Sequence, residues 1–162
     1  MVNTFLPWPD EVKTAKSLDN RRLGKQRVEA LQILRANLGL TKGWRNHPAA
    51  VMWRGHEGAL IEYTCAMCDE WTARGYEDNV KAQVFEIYKK HNITPQSYER
   101  PWWWGKRKFH RSHKSNLKRK DPIHYGFDVP DDLPYSWPTP EHTFRTTEKK
   151  EKKNDSDTQA SL

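Results

Sequence analysis

The stretch Asp19 to Arg35, DNRRLGKQRVEALQILR, limits what this chain can become more than any other segment does. On a helix advancing about 100° per residue, Leu23, Val28, Ala30, Leu31 and Leu34 share one broad apolar arc, and Arg21, Arg22, Lys25, Glu29 and Gln32 share the other side. A single carboxylate, Glu29, therefore sits among cations. In the plainest reading this is a core helix with a Lys25–Glu29 surface pair four residues apart. Arg27 does not fit it, because the wheel places a guanidinium in the apolar arc, where it needs a buried partner or a path to an anionic ligand.

The same reasoning extends along the chain. Met1 to Pro9 reads as an extended lead-in, and a short helix is expected from Asp10, a good N-cap followed by an acidic first turn. The main helix should start near Leu18 or Asp19 and end around Asn37 to Gly39. Gly43-Trp-Arg-Asn-His-Pro48 is a loop leading into a short helix, with Pro48 at its first position and Asn46 or His47 as its cap. Apolar spacing through Leu60, Ile61, Thr64, Met67, Cys68 and Trp71 predicts a helix from Glu57 to Arg74, closed at Gly75. Val80, Val84, Phe85, Ile87 and Tyr88 predict another. We see no repeat and no convincing strand. The expectation is a mainly α fold: one compact helical domain over 1–140, with a proline-rich extended stretch from Asp121 to Pro140, and a disordered, charged tail over 141–162.

Only 35% of the residues are hydrophobic, but eight Trp, six Tyr and five Phe concentrate burial capacity in large side chains. No segment reaches transmembrane length and no signal pattern opens the chain, so a cytoplasmic location is expected, in the host cell if a phage encodes it. The net charge of +7 is localised: nine Lys/Arg against two acids lie between Glu99 and Asp121. A field of that sign implies a polyanionic partner, DNA in the first place. Neither a membrane nor an obligate protein partner is called for.

Four constellations could carry chemistry. Glu29 amid Arg21, Arg22, Lys25 and Arg27 is a carboxylate that can stabilise a developing cation or shuttle a proton while the cations hold phosphate. Arg45, His47 and Arg54 surround a helix start suited to a phosphate, although a core-plugging Trp44 and a capping His47 explain the loop equally well. Trp103 and Trp104 beside Lys106, His110, Arg111, His113 and Lys114 combine stacking surface with backbone-binding charge, and three adjacent tryptophans cannot all face one way. Cys65-x-x-Cys68 and His110-x-x-His113 have zinc-like spacing, but cysteine favours burial and these histidines belong to a phosphate-type run, so no metal is assigned. No P-loop, dinucleotide glycine pattern or G-x-S-x-G elbow is present, and no cofactor is assigned.

The order and spacing of three stretches resemble the pyrimidine dimer DNA glycosylase family, the small helical enzymes of the phage endonuclease V type, and in particular a group of short actinobacterial and phage proteins. Leu18-Asp-Asn-Arg-Arg-Leu23 with Glu29 six residues on resembles the family's leucine-spaced helix bearing its catalytic glutamate. Gly43-Trp-Arg-Asn-His-Pro48 resembles its G-Y-x-x-H-P. Gly55-His56, Leu60, Tyr63 and Ala73-Arg-Gly-Tyr76 resemble its helix ending in R-G-Y/F. The resemblance implies a base-excision DNA glycosylase, with AP-lyase activity, acting on damaged or modified duplex DNA. The mature amino terminus attacks the sugar C1′ to give a Schiff base, and the glutamate assists both glycosidic cleavage and β-elimination. Carried over, Glu29 is the glutamate, and Val2 supplies the amine once Met1 is removed. The chain departs from the family pattern at Asn3, Val28 and Gln32, each of which replaces an arginine. The alternative is a non-catalytic nucleic-acid-binding protein on the same fold.

Overall fold

The computed structural model describes residues 2–146. Its helices are α1 (Glu11–Ser17), α2 (Asn20–Asn37), α3 (Pro48–Val51), α4 (Glu57–Ala73), α5 (Val80–Lys90) and α6 (Arg107–Lys120), with a 3-10 turn at Pro95–Tyr98 between the last two. A two-residue antiparallel ladder pairs β1 (Trp137–Pro138) with β2 (Phe144–Arg145). The fold is mainly α, as the periodicities predict. No helix among the described residues is long and apolar enough to cross a membrane.

The caps explain where the helices begin. Asp10 accepts the Lys13 N–H at 2.9 Å, and Asp19 accepts the Arg22 N–H at 3.2 Å, each satisfying an orphan donor of a first turn. Of the two residues expected to cap α3, His47 does so, its Nδ1 accepting the Ala49 N–H at 3.0 Å. α4 is the hub. It buries Leu60, Ile61, Tyr63, Thr64, Met67 and Cys68 against α1, α2 and the 3-10 turn. The 3-10 turn can lie this close only because residue 58 lacks a side chain: a Cβ there would sit 2.5 Å from the Tyr98 ring. Gly75, at φ 96°, ends α4 in the left-handed region as expected.

Two extended segments are held by side chains. The lead-in has no regular structure over residues 2–6, and Val2 through Pro7 are all buried. An extended segment inside a helical protein has no ladder to satisfy its backbone, so side chains must do it. Gln26 accepts the Phe5 N–H (2.6 Å) and donates to the Asn3 carbonyl (3.1 Å), and Tyr63 donates to the Phe5 carbonyl (2.7 Å). His113 Nδ1 accepts the Leu6 N–H at 3.0 Å, and His110 Nδ1 donates to the Leu6 carbonyl at 2.8 Å. Trp53 Nε1 donates to the Thr4 hydroxyl at 2.9 Å.

The proline-rich stretch is likewise fastened. Ser115 and Ser112 of α6 accept the Leu133 and Ser136 N–H groups, Asn116 donates to the Leu133 carbonyl, and Lys118 donates to the carbonyls of Phe127 and Val129. The ordered chain also runs past Glu141. Phe144 pairs with Pro138 and packs on Trp102, ring centroids 4.8 Å apart, so the expected tail boundary moves beyond it. Of the expected 141–162 tail, 147–162 lies outside the described residues.

Candidate active site

α2, the terminal segment and the end of α6 enclose a cleft of about 290 Å3, lined by Asn3, Phe5, Arg21, Arg22, Lys25, Gln26, Glu29, Lys120 and Tyr135. Glu29 lies at its inner wall. Its Oε2 accepts the Asn3 N–H at 3.2 Å and the Gln26 amide N–H at 3.0 Å. Consecutive backbone nitrogens are separated by no more than about 3.7 Å, so the Val2 nitrogen lies within about 7 Å of this carboxylate. The sequence pattern alone cannot supply this meeting of residues 2–3 with residue 29. It depends on Gln26, one helical turn before Glu29, holding Asn3 and Phe5 from the same side of α2.

Electrostatics fit a proton-handling carboxylate. Burial pushes the Glu29 carboxyl above its ordinary value, while the Asn3 N–H, Lys25, the positive amino terminus and the Gln26 amide pull it back. Burial that favours the protonated form, beside donors that favour the charged one, suits a carboxyl to exchange a proton with a bound substrate. Lys120 is lowered, first by burial and then by the positive charges of Arg22, Arg119 and Lys25. Asn3 and Tyr135 both line the cleft, and the Asn3 amide nitrogen and the Tyr135 hydroxyl are each buried without a hydrogen-bond partner.

The other sequence candidates fall into separate places. Arg45 and Arg54 are exposed on the loop around His47, and Arg54 donates to the Arg45 carbonyl. His47 is half-buried between Trp44 and Trp137, and its pKa is lowered by burial and by the positive amino terminus. Arg111 and Lys114 line a groove of about 350 Å3 with Trp8 and Arg107, Lys114 lying 5.4 Å from the Trp8 ring. Lys106 is exposed just before α6.

Three candidates are drawn into the interior instead, and a fourth is partly covered. Trp103 is fully buried, its Nε1 donating to the Met52 carbonyl at 3.0 Å, so it cannot stack on a base. Trp104 is half-buried, with the Arg100 guanidinium 4.1 Å from its ring. His110 and His113 spend their Nδ1 atoms on Leu6, and His110 Nε2 accepts the Gly105 N–H at 2.9 Å, which makes them structural clamps rather than phosphate ligands. No group of three or more His, Cys, Asp or Glu gathers as a metal site among the described residues.

Arg27 did need a buried partner, and it finds Asp78, with the Trp71 ring 4.6 Å away on α4. It therefore faces away from Glu29 and is not available to phosphate. Removing one member of a buried pair strands the other, so Arg27→Met should cost about 3 kcal/mol of stability. Urea unfolding will show that loss, and DNA affinity should stay unchanged. An affinity loss without a stability loss would return Arg27 to the binding surface.

Sequence reasoning missed Asn3, Gln26, Lys120 and Tyr135 as cleft residues. Lys120 was visible as part of the basic run, and Gln26 as a polar residue one turn from Glu29, but nothing in the sequence marks Tyr135. The model of the family described as pyrimidine dimer DNA glycosylase matches residues 2–84, from the buried terminal segment through α4 and into α5, and so includes Asn3, Gln26 and Glu29. No curated protein and no solved structure matches the chain. With half of its length matched, and with the terminal segment and the glutamate helix inside the match, the chain belongs to the pyrimidine dimer DNA glycosylase family.

Proposed function

We propose that this protein is a base-excision DNA glycosylase with AP-lyase activity, in which the Val2 amine, freed by removal of Met1, is the nucleophile and Glu29 the acid/base group. The observation that carries the proposal is the hydrogen bond from the Asn3 N–H to Glu29, which ties the start of the chain to the one carboxylate in a cleft ringed by Arg21, Arg22, Lys25 and Lys120. A terminal amine has an ordinary pKa near ~8, so a useful fraction is unprotonated at neutral pH. Its lone pair forms a bond to C1′ as the glycosidic bond breaks, and the departing base takes the proton that the new C1′ ammonium sheds. The C1′–O4′ bond then opens, O4′ taking a proton from Glu29, and an iminium is left on C1′. Glu29, now a carboxylate, takes a C2′ proton, and the C3′–O bond breaks as the 3′ phosphate leaves. The flanking phosphates fall to the four cations, and Arg45, Arg54, Arg111 and Lys114 extend the contact along the duplex.

Borohydride trapping tests this directly. The mature protein, its amino terminus sequenced, is incubated with abasic and ultraviolet-irradiated duplexes. A covalent adduct is expected with the natural terminus and none after reductive methylation or extension of that terminus. The exposed Val28 and Gln32, where the family carries arginines, favour a second reading, a DNA-binding protein without chemistry. Salt-dependent duplex binding with no adduct on either substrate would establish that reading in place of the first.

A further inference from the structure

We propose that Trp44 is the wedge that enters the base stack when a nucleotide is drawn into the cleft. The proposal rests on the reading of that cleft as a site for an extruded nucleotide. An enzyme that unstacks a base must put something in its place, and a flat, rigid, exposed aromatic flanked by cations is what the vacated step accepts.

Sequence alone would assign this task to the Trp102–Trp104 run. That run is occupied elsewhere: Trp103 is core, Trp104 lies under Arg100, and Trp102 stacks on His142 at 5.2 Å. Of the eight tryptophans only Trp44 is exposed, at 44%. It stands in the loop between α2 and α3 with φ 66°, a left-handed conformation that a bulky side chain seldom adopts and that costs energy to keep. The loop enforces it. The His47 N–H donates to the Trp44 carbonyl at 3.0 Å, and Arg54 anchors the Arg45 carbonyl next door. The ring meets His47 edge to face at 5.6 Å, a contact that leaves much of its surface open.

Ring packing links the loop to the cleft. From Trp44 a chain of ring contacts leads to the cleft: His47 to Trp137 at 5.8 Å, then Trp137 to Tyr135 at 5.4 Å, and Tyr135 lines the cleft itself. Lys42, Arg45 and Arg54 are exposed on or beside the loop, a positive surface that suits the phosphates flanking an opened step.

The test uses a duplex carrying a tetrahydrofuran abasic analogue beside 2-aminopurine, whose fluorescence rises when it is unstacked. Wild type should raise that signal. Trp44→Ala should abolish the rise and weaken duplex binding about tenfold, the scale of one lost stacking contact, while leaving affinity for the matching single strand unchanged. Trp44→Gly removes the ring and also relieves the left-handed backbone, so it should lose the signal with thermal stability equal to wild type or above it. That variant guards against a loss caused by misfolding. An equal rise with wild type and both variants, or duplex binding by wild type with no rise, overturns the wedge. A rise that depends on Trp44 in a protein giving no borohydride adduct supports the wedge and overturns only the glycosylase reading.

Discussion

Glu29→Gln is expected to lower strand cleavage by about 10²–10⁴-fold, the usual size of a lost general acid/base group, while leaving the protein folded and its grip on duplex DNA unweakened. Glutamine keeps an oxygen for the Asn3 N–H and the Gln26 amide, so the terminal segment stays in place. What disappears is a charge that burial disfavours and a site that can take a proton. Burial raises this carboxyl's pKa in the folded state. Its destabilising contribution is therefore present above that raised pKa and fades as the pH falls toward the unfolded value. At neutral pH the substitution relieves it, and the melting temperature should hold or rise, the usual trade between an active site and stability. Affinity should hold or tighten too, because one negative charge leaves the ring of Arg21, Arg22, Lys25 and Lys120. Cleavage assays, calorimetry and salt-resolved binding separate these outcomes. Unaltered cleavage by Glu29→Gln would remove Glu29 from the chemistry whatever its position.

The elements themselves were largely legible from the sequence, because caps and apolar spacing are local. α2 begins after Asp19 and ends at Asn37 as its signals require. The content of its buried face was not. The wheel placed Val28 in the apolar arc, yet Val28 is exposed, and Gln26 is buried in the arc it was not given. Periodicity assumes that apolar residues choose the face. Here the terminal segment lies along the Gln26–Glu29 side, and an extended chain without ladder partners needs polar side chains beneath it. Asp78, the partner Arg27 required, is 51 residues away, a separation no local pattern spans. The basic run misled for a related reason. Phe109, Ser112, His113, Asn116 and Leu117 recur at helical spacing and are all buried, but a histidine that clamps a backbone and one that binds phosphate read alike until the backbone it meets is known.

The clamp sets the second large expectation, a loss of stability in mild acid that reaches the candidate active site. His113 is fully buried between Phe5, Phe109 and Tyr135, and desolvation followed by His110 holds its pKa down at about 3. A histidine freed by unfolding titrates near ~6.5. The unfolded chain thus binds the proton first, and stability falls as the pH drops below about 6.5 and continues to fall toward the folded value. For one group displaced this far the loss is roughly 5 kcal/mol over the whole span, of which about 3 kcal/mol falls above pH 4, and His110, lowered for the same reason, adds to it. Protonation would also turn His113 Nδ1 from acceptor to donor and set it against the Leu6 N–H it now receives. Leu6 belongs to the segment that carries Asn3 to Glu29, so cleavage should fail as the clamp fails. His113→Asn retains an acceptor near Nδ1 without a titrating group, and it should flatten the acid limb of stability at some cost in packing. His113→Ala, lacking both, should be destabilised at every pH. Denaturant unfolding between pH 7 and 4 decides the matter, and a wild-type stability that does not change over that range would show that the clamp does not titrate.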